Sequence, residues 1–275
     1  MSKTSQSKKY ADPTTENSKI ESGKAENNRT EKNKTGKKEY FGTVCEIQRN
    51  SYNILVENKT IHAKLKGNFF RENEELPVVG DNVTFLPNEN GDSLITSVCE
   101  RKSVLKRPYA ADHSMDNGKE QVMVANVDYV FIVSSLNDNY NFNRIARYVS
   151  MTLQGNAIPV VILTKADLCS NPGRYASEIE NLSEQVKVHC VSALYGIGMD
   201  ELNRYLQPGK TIAILGSSGV GKSTLVNALV QEDVMKTSEI RESDSKGRHT
   251  TTHRQMIVLL NGARIIDTPG MRELG

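Results

Sequence analysis

Residues 216–223 read Gly-Ser-Ser-Gly-Val-Gly-Lys-Ser, and this octapeptide decides the fold. It matches the pattern G-x-x-x-x-G-K-[ST] in full, and it lies between an apolar run at residues 212–215 and a helix predicted to begin near Lys222. Glycines let backbone N–H groups wrap around phosphates, and the helix N-terminus adds partial positive charge. We expect Lys222 to reach the β- and γ-phosphates and the Ser223 hydroxyl to bind Mg²⁺. The predicted phosphate-binding residues are Gly216, Ser217, Ser218, Gly219, Val220, Gly221, Lys222, Ser223 and Thr224.

A second phosphate motif, Asp267-Thr268-Pro269-Gly270, ends a later apolar run. An aspartate at the tip of a buried strand can hold Mg²⁺ through water, and the N–H of the glycine can sense the γ-phosphate. Asp-x-x-Gly alone is common, and an ordinary strand-end turn is the alternative. Because the motif follows Ser223 by 44 residues in a chain with a P-loop, we interpret Asp267 as a Mg²⁺ residue and Gly270 as a nucleotide-binding residue.

Two short motifs at the ends of earlier apolar runs indicate which base is bound. Thr164-Lys165-Ala166-Asp167 ends one run, and Ser192-Ala193 ends the next. Guanine offers N–H donors at N1 and N2, which one carboxylate accepts together, whereas adenine lacks this pair. Asp167 is the predicted acceptor, Lys165 is expected to pack along the base, and a backbone N–H at Ser192-Ala193 is placed for the guanine O6. The predicted guanine-binding residues are Thr164, Lys165, Asp167, Ser192 and Ala193.

A polar loop at residues 247–252, Gly-Arg-His-Thr-Thr-Thr, lies between the P-loop and Asp267. Such a loop is placed to supply a threonine ligand to Mg²⁺ and to close over the γ-phosphate. Thr250 and Thr251 both fit this role; we favour Thr251, so the predicted metal set is Ser223, Thr251 and Asp267. From spacing alone, His249 is equally well explained as a solvent-exposed loop histidine.

The order of these motifs differs from that of most GTPases, which run from the P-loop through Asp-x-x-Gly to the base motifs. Here the base motifs come first. The same site can form because ligand loops gather at the carboxyl ends of parallel strands whatever the chain order. Apolar runs alternate with helical stretches, such as residues 142–154 and 175–184, which predicts a mostly parallel α/β sheet. Residues 120–275 are therefore predicted to form a circularly permuted P-loop GTPase domain.

The chain before this domain divides into three predicted parts. Five short alternating segments in residues 40–102 predict a small closed all-β barrel, with the OB-fold as the leading choice. Residues 103–119 are polar and basic and are expected to form a linker. Residues 1–39 hold ten Lys or Arg and six Asp or Glu, a charge of +4 in a chain of net charge +2. Their low apolar content predicts a disordered basic tail, although such a tail can also contact nucleic acid phosphates.

The composition argues against several classes of protein. No run of about 18 apolar residues is present to span a membrane, and the start Met-Ser-Lys-Thr-Ser leads into no apolar signal segment. The cysteines at positions 45, 99, 169 and 190 form no Cys-x-x-Cys pair, so neither a zinc site nor a disulfide framework is indicated. We expect a cytoplasmic monomer that contacts no membrane.

Together these motifs resemble the RsgA family, also called YjeQ or YloQ, of small-ribosomal-subunit biogenesis GTPases. The likeness runs from about residue 40 to 275 and rests on the permuted order, the Gly-Arg-His-Thr-Thr loop and the preceding barrel. Shorter segments that also resemble the family are Val79-Gly80-Asp81, Leu105-Lys106-Arg107-Pro108 and Asn126-Val127-Asp128. The resemblance implies GTP hydrolysis to GDP with Mg²⁺, stimulated by the small ribosomal subunit and its rRNA, during late maturation of that subunit.

Two features depart from expected patterns. The resemblance implies a C-terminal domain with Cys and His ligands for Zn²⁺, whereas this chain ends at Gly275 without those ligands, and we expect weaker ribosome binding and lower stability than in a zinc-domain relative. The position after Asp-x-x-Gly, where many GTPases place a water-orienting Gln, is Met271. The resemblance points instead to His249, acting beside Lys222, as the catalytic residue once a partner orders its loop.

Two other functions stay open from the sequence. One is a nucleotide-regulated RNA-binding module with little turnover, which would use the barrel and the basic tail. The other is an ATPase with a chance Thr-Lys-Ala-Asp, and Asp167 argues against it because adenine presents no matching pair of donors.

We predict that GTP and GDP, but not ATP, displace a fluorescent guanine nucleotide from this chain in the presence of Mg²⁺. The reason is that only guanine presents two N–H donors to Asp167. A fluorescence competition titration measures the displacement. Equal displacement by ATP would show that the role assigned to Asp167 is wrong, and a chain that binds no guanine nucleotide would favour the RNA-binding module.

Overall fold

The structure is a computed structural model, and it describes residues 31–32, 38–49, 51–57, 59–69, 75–108, 120–234 and 255–268. Its strands are β1 (Glu31–Lys32), β2 (Lys38–Ile47), β3 (Tyr52–Val56), β4 (Lys59–Leu65), β5 (Asn82–Leu86), β6 (Ser93–Val98), β7 (Val104–Pro108), β8 (Glu120–Ala125), β9 (Tyr129–Ser135), β10 (Ile158–Thr164), β11 (Lys187–Cys190), β12 (Thr211–Leu215), β13 (Gln255–Val258) and β14 (Arg264–Asp267). The α-helices are α1 (Phe142–Gln154), α2 (Pro172–Glu180) and α3 (Lys222–Val234), and short 3-10 helices span Ala166–Leu168 and Asp200–Arg204. In this part of the chain, no helix has the length and apolar character needed to cross a membrane.

Strands β2 to β6 form the predicted barrel. They follow the order β2-β3-β4-β6-β5, β5 pairs with β2 to close the circle, and β4 runs parallel to β6. A register shift between Val44 and Glu46 marks a bulge that bends β2. Inward side chains such as Val44, Ile54, Phe85 and Ile95 fill the interior and are at most 1% exposed. The prediction of a small closed barrel of the OB type is confirmed.

The second half of the chain folds into a sheet with the strand order β11-β10-β9-β12-β14-β13. The first four pairs in this order are parallel, and β13 runs antiparallel to β14. Both faces of the central strands are buried, which explains why they read as continuous apolar runs rather than as alternating ones. In β9, Val130, Phe131, Ile132 and Val133 are at most 2% exposed. The predicted α/β architecture is confirmed.

Two apolar clusters cover the two faces of this sheet. On one face α1 and α2 pack against the strands, and Ile145 of α1 belongs to the same buried cluster as Val161 of β10. On the other face α3 and the 3-10 helix Asp200–Arg204 pack together, and Leu225 and Leu202 share a cluster with Phe131 of β9. The sheet is thus the middle layer of three, and its two ends remain available for loops.

Side-chain caps determine where two of the helices begin. Asn141 accepts a hydrogen bond from the Arg144 N–H at the start of α1, whose bounds match the predicted helix. Asn171 caps α2 in the same way, and Pro172 occupies the first helical turn. Because this cap and proline precede the apolar-periodic stretch, α2 begins three residues before its predicted start at residue 175.

The prediction of a linker at residues 103–119 is wrong for the first part of this segment. Val104–Pro108 forms β7, which pairs antiparallel with β8. Leu105 is fully buried in the cluster beneath α1. Lys106 and Arg107 make this strand read as part of a basic linker, and its partner β8 begins only at Glu120, so no local pattern in the sequence indicates the pairing. The remainder of the predicted linker lies outside the described residues.

The predicted disordered tail at residues 1–39 is also wrong at its end. Strand β2 begins at Lys38, and Glu31–Lys32 pairs with Lys38 and Glu39. Main-chain hydrogen bonds to the first barrel strand order these residues whatever their side chains, which composition does not report. The rest of the predicted tail falls outside the part of the chain that the structure describes.

Main-chain hydrogen bonds hold the segment before β5 between strand β2 of the barrel and strand β8, which forms a separate two-stranded sheet with β7. The Gly80 N–H donates to the Val44 carbonyl at 2.9 Å, and the Ala125 N–H donates to the Val79 carbonyl at 3.1 Å. A Cβ at Gly80 would lie 2.0 Å from the Ala125 carbonyl oxygen, so this close approach requires glycine. Strand β2 also pairs with β13 at Glu46, which makes the barrel continuous with the larger sheet.

A buried ion pair stabilises the barrel next to this junction. Arg101 Nε and Nη2 donate to the two carboxylate oxygens of Asp81, each at 2.8 Å, in a bidentate arrangement. The hydrogen bonding to Asp81 raises the pKa of Arg101 above its ordinary value. The Asp81 side chain is 0% exposed and that of Arg101 is 12% exposed. Loss of the arginine would therefore leave a buried carboxylate with its main counter-ion removed.

We expect Arg101→Met to lower the free energy of unfolding by about 3–5 kcal/mol, the typical cost of breaking a buried pair from one side. The matched control is Lys64→Met, which removes the exposed Lys64–Asp92 pair at 2.7 Å and should cost less than about 1 kcal/mol. Urea unfolding followed by circular dichroism measures both values. Equal losses in the two variants would contradict the stabilising role of the Arg101–Asp81 pair.

Candidate nucleotide-binding site

Five parallel strands end at one edge of the GTPase sheet. Strands β9, β10, β11, β12 and β14 terminate at Ser135, Thr164, Cys190, Leu215 and Asp267. These carboxyl ends lie along the same edge although they are far apart in the chain. This edge brings together the predicted phosphate loop, both base motifs and Asp267. The permuted order of the motifs therefore leaves their spatial arrangement intact.

The loop from β12 to α3 adopts a conformation that its glycines make accessible. Gly216 approaches β9 so closely that an added Cβ would lie 2.4 Å from the Val133 carbonyl oxygen. Gly221 has a φ of 90° and directly precedes Lys222, the first residue of α3. The Leu225 N–H donates to the Gly221 carbonyl at 2.9 Å and closes the first turn. The N-terminus of α3 thus opens onto the loop, the arrangement that favours phosphate binding.

Lys222 lies across the mouth of this loop. Its ammonium donates to the carbonyl oxygens of Gly216 and Ser217, each at 2.6 Å. These contacts hold a positive charge beside the backbone N–H groups that would surround a phosphate. The position of Lys222 is therefore compatible with its predicted contact to the β- and γ-phosphates.

Hydrogen bonds join the base motif to the phosphate loop. The buried Thr164 hydroxyl donates to the Val220 carbonyl at 2.6 Å. Lys165 Nζ donates to the Gly219 carbonyl at 3.2 Å, and the φ of Lys165 is 57°, in the left-handed region. Thr164 thus joins the base motif to the phosphate loop by a hydrogen bond, a role that the sequence analysis did not assign. Its place at the end of a buried strand was the available signal.

The two base motifs lie next to each other, as predicted. Asp167 is exposed in the 3-10 helix after β10, and the Ala166 N–H donates to the Val191 carbonyl at 3.1 Å, which links this turn to the following motif. The Ser192 N–H is bonded within its own loop at 2.9 Å. Within the described residues the Ala193 N–H has no acceptor. Of these two N–H groups, only that of Ala193 is therefore available to a ligand among the described residues.

Asp267 ends β14 beside the phosphate loop, opposite Ile214 of β12. The next residue, Thr268, donates from its hydroxyl to the Ile214 carbonyl at 2.6 Å and fixes the strand end. Asp267 Oδ1 is buried and has no hydrogen-bond partner among the residues that the structure describes. A buried carboxylate oxygen without a partner is unfavourable, and a hydrated Mg²⁺ would satisfy it. Together with the Ser223 hydroxyl, this oxygen fits the donor set of Mg²⁺.

Some predicted site residues lie outside the described part of the chain. These are His249, Thr250, Thr251, Gly270 and Met271. Their roles stay predictions.

A polar loop after β9 also reaches the site, and the sequence analysis missed it. Asn137 accepts hydrogen bonds from the Ser135 hydroxyl at 2.7 Å and the Asn139 N–H at 3.2 Å, which forms a local turn. The Asn139 side chain lies beside the phosphate loop, because a Cβ at Gly219 would be 3.8 Å from its amide nitrogen. The polar run that directly follows a buried strand was the signal that could have identified this loop.

Comparison with known proteins identifies the family. The family model for the RsgA GTPase matches residues 98–275, and that for the RsgA N-terminal domain matches residues 42–95. The chain belongs to the RsgA GTPase family. The small ribosomal subunit biogenesis GTPase RsgA 2 of Listeria monocytogenes is 44% identical over 237 residues, which cover 86% of this chain and 66% of that protein. The RsgA protein of Methanosarcina acetivorans is 43% identical, with 84% of this chain and 60% of that protein covered.

Two solved structures share the fold of this RsgA-family chain. YjeQ from Thermotoga maritima aligns with a TM-score of 0.63 at 30% identity, over 84% of this chain and 75% of that one. YloQ, described as a circularly permuted GTPase, aligns with a TM-score of 0.59 at 22% identity. The alignment covers 86% of this chain and 72% of that one. The permutation predicted from the motif order is confirmed. The chain spans about two thirds of the length of the Listeria relative, as the 66% coverage shows.

We expect Asp167→Asn to weaken GTP binding by about 10- to 100-fold, because one charged hydrogen bond of about 1.5–3 kcal/mol is lost. Xanthosine triphosphate carries a carbonyl where guanine carries its 2-amino group, so it should bind the variant more tightly than the wild type. Asp200→Asn, the same change at an exposed residue of the 3-10 helix Asp200–Arg204, is the matched control. Fluorescent nucleotide titration measures the affinities of the wild type, of Asp167→Asn and of the control for GTP and for xanthosine triphosphate. Unchanged GTP affinity in Asp167→Asn would remove this residue from the base site.

Proposed function

We propose that this RsgA-family chain binds GTP with Mg²⁺ and hydrolyses it to GDP and phosphate. The observation that carries the proposal is the joining of the phosphate loop to the base motif by the Thr164–Val220 and Lys165–Gly219 hydrogen bonds. These contacts support a proposed site in which the place for the phosphates and the place for the base are held at a fixed separation. A single guanine nucleotide can then engage both.

Each site residue has a proposed role in binding. The N–H groups of residues 216–221 and the Lys222 ammonium would orient and neutralise the phosphates. Ser223, Thr251 and Asp267 would hold Mg²⁺, which offsets the negative charge of the phosphate oxygens when bound. Asp167 would accept from guanine N1 and N2, and the Ala193 N–H would donate to O6.

The proposed catalytic residue is His249. Met271 occupies the position where many GTPases place a water-orienting glutamine, and its thioether cannot orient water by donating a hydrogen bond. An imidazole can hold the attacking water and accept its proton. We propose that the loop carrying His249 becomes productive only when a partner orders it, which makes unassisted hydrolysis slow.

The proposed partner is the small ribosomal subunit and its rRNA. The relatives from Listeria and Methanosarcina are named for biogenesis of that subunit. We propose that the GTP-bound form holds the subunit late in its maturation and that hydrolysis, stimulated by the subunit, releases it. The pairing of β2 with β13, and of β13 with β14, supports a link between rRNA contact at the barrel and the site at Asp267. The protein is proposed to act as a monomer in the cytoplasm.

We expect His249→Ala to reduce subunit-stimulated GTP turnover by about 10²-fold or more, within the roughly 10²–10⁴-fold that a positioned acid–base group contributes. GTP affinity should stay unchanged, because the imidazole is not assigned to nucleotide binding. Lys222→Ala is the contrasting variant and should lose both affinity and turnover.

Phosphate release with and without purified small subunits measures turnover, and fluorescent nucleotide titration measures affinity. Full stimulated turnover in His249→Ala would remove the catalytic role from this residue. A wild-type chain that binds guanine nucleotides but shows no turnover with subunits would favour the nucleotide-regulated RNA-binding module.

A further inference from the structure

Two adjoining cavities lie at the edge of the GTPase sheet opposite the phosphate loop, where this edge meets the barrel. Their volumes are about 420 and 520 Å³. Asn82, Gly209 and Arg264 line both cavities, so the two form one groove, which we name the junction groove after these three residues. Its floor is made by the amino ends of β9 and β12, at Tyr129 and Thr211. Small-ligand sites commonly occupy such positions between domains and have comparable volumes.

Arg264, the first residue of β14, lies half-buried in the junction groove. Burial lowers the pKa of its guanidinium below the ordinary value, and the attraction of Asp128 offsets only part of this effect. Among the described residues, none accepts a hydrogen bond from the guanidinium or forms an ion pair with it. A partly desolvated cation without a counter-ion is unfavourable. Such a group in a cleft is a candidate for binding a ligand of opposite charge.

The carboxylate that attracts Arg264 is already engaged. Asp128 Oδ1 accepts from Lys210 Nζ at 2.8 Å, and Asp128 Oδ2 accepts from the Thr211 N–H at 2.9 Å. The hydrogen bond with Asp128 raises the pKa of Lys210, which keeps that pair charged. Asp128 therefore fixes the sheet edge and does not neutralise the arginine.

The lining of the junction groove has an excess of positive charge. Lys102, Lys210 and Arg264 face the acidic residues Glu57 and Asp128. Since Lys210 and Asp128 neutralise each other, the remaining cations outnumber the remaining acid. The groove therefore favours an anion.

Other lining residues suit a ligand that carries more than a phosphate. Asn156 is exposed at the rim and brings an amide that can donate or accept. Phe41 of the barrel also lines the groove, and an aromatic side chain at this position suits stacking with a nucleic acid base.

We propose that the junction groove is a second anion site that takes a phosphate group of a nucleotide or of an RNA strand, with Arg264 as the anchor. The planar guanidinium offers paired donors that match two phosphate oxygens. This site and the phosphate loop lie at opposite edges of one sheet, so both can be filled together. Strand β14 joins them, because this strand of four residues begins at Arg264 and ends at Asp267.

The test uses the full chain loaded with GDP and Mg²⁺, so that the phosphate loop is already filled. Two probes represent the two sources of phosphate: adenosine 3′,5′-bisphosphate for a free nucleotide, and single-stranded penta-adenylate RNA for a strand. Calorimetry measures binding of each probe to the wild type and to Arg264→Gln. We expect at least a tenfold loss of affinity in the variant for at least one probe.

Two further variants keep the test decisive. Lys187→Gln removes an exposed cation from β11, outside the groove, and should bind both probes like the wild type. Asn156→Asp adds a negative charge at the rim while Arg264 is kept, so it should weaken binding of the probes several-fold. This variant still tests the groove if Arg264→Gln fails to fold. Retention of fluorescent GDP is measured in every sample, which separates failure of the groove from failure of the nucleotide site.

The outcomes distinguish the sources of phosphate. If Arg264→Gln loses affinity for the bisphosphate alone, the groove takes a free nucleotide. If it loses affinity for the RNA alone, the groove takes an RNA strand. If it loses affinity for both probes, the groove recognises the phosphate chemistry that they share. The proposal is overturned if neither probe binds, or if probe affinity is the same in the wild type, Arg264→Gln and Asn156→Asp while GDP is retained.

Discussion

The parallel direction of β9, β10, β11, β12 and β14 is the constraint on which the rest of this protein depends. It brings five strand ends to one edge, so that residues as far apart in the chain as Ser135 and Asp267 lie at the same edge of the sheet. The hydrogen bond from Thr164 to Val220 then joins the base side of the site to the phosphate side. Chain order is irrelevant to this geometry, which is why a permuted sequence can build the same site.

The barrel is attached to this sheet by backbone contacts rather than by a loose connection. The close approach of Gly80 to Ala125, and the pairing of β2 with β13, leave little room for independent movement. Cys45 of β2 is buried in the same cluster as Met256 of β13, and this burial raises the pKa of the Cys45 thiol to about 11. The Cys45 thiol therefore stays protonated at neutral pH and packs as a core side chain beside Met256.

The two edges of the GTPase sheet have opposite electrostatic designs. At the carboxyl edge, Lys222 and the start of α3 face the buried Asp267 oxygen, a combination suited to phosphate and a divalent cation. At the amino edge, Asp128 is occupied by Lys210 and Arg264 is left without a partner among the described residues. Strand β14 spans both edges, with Arg264 at the amino edge and Asp267 at the carboxyl edge.

The features that are local or periodic could be predicted from the amino-acid sequence. The phosphate loop, the five barrel strands and the bounds of α1 follow from motif, alternation and helical spacing, because each depends on residues near one another in the chain. Three features became visible only in the folded structure. Leu105 belongs to a strand, and Thr164 joins two loops by its hydrogen bond to Val220. The Arg264 guanidinium has no counter-ion among the described residues. Each of these depends on a partner far along the chain, or on the lack of one in the described structure, and no local pattern carries that information.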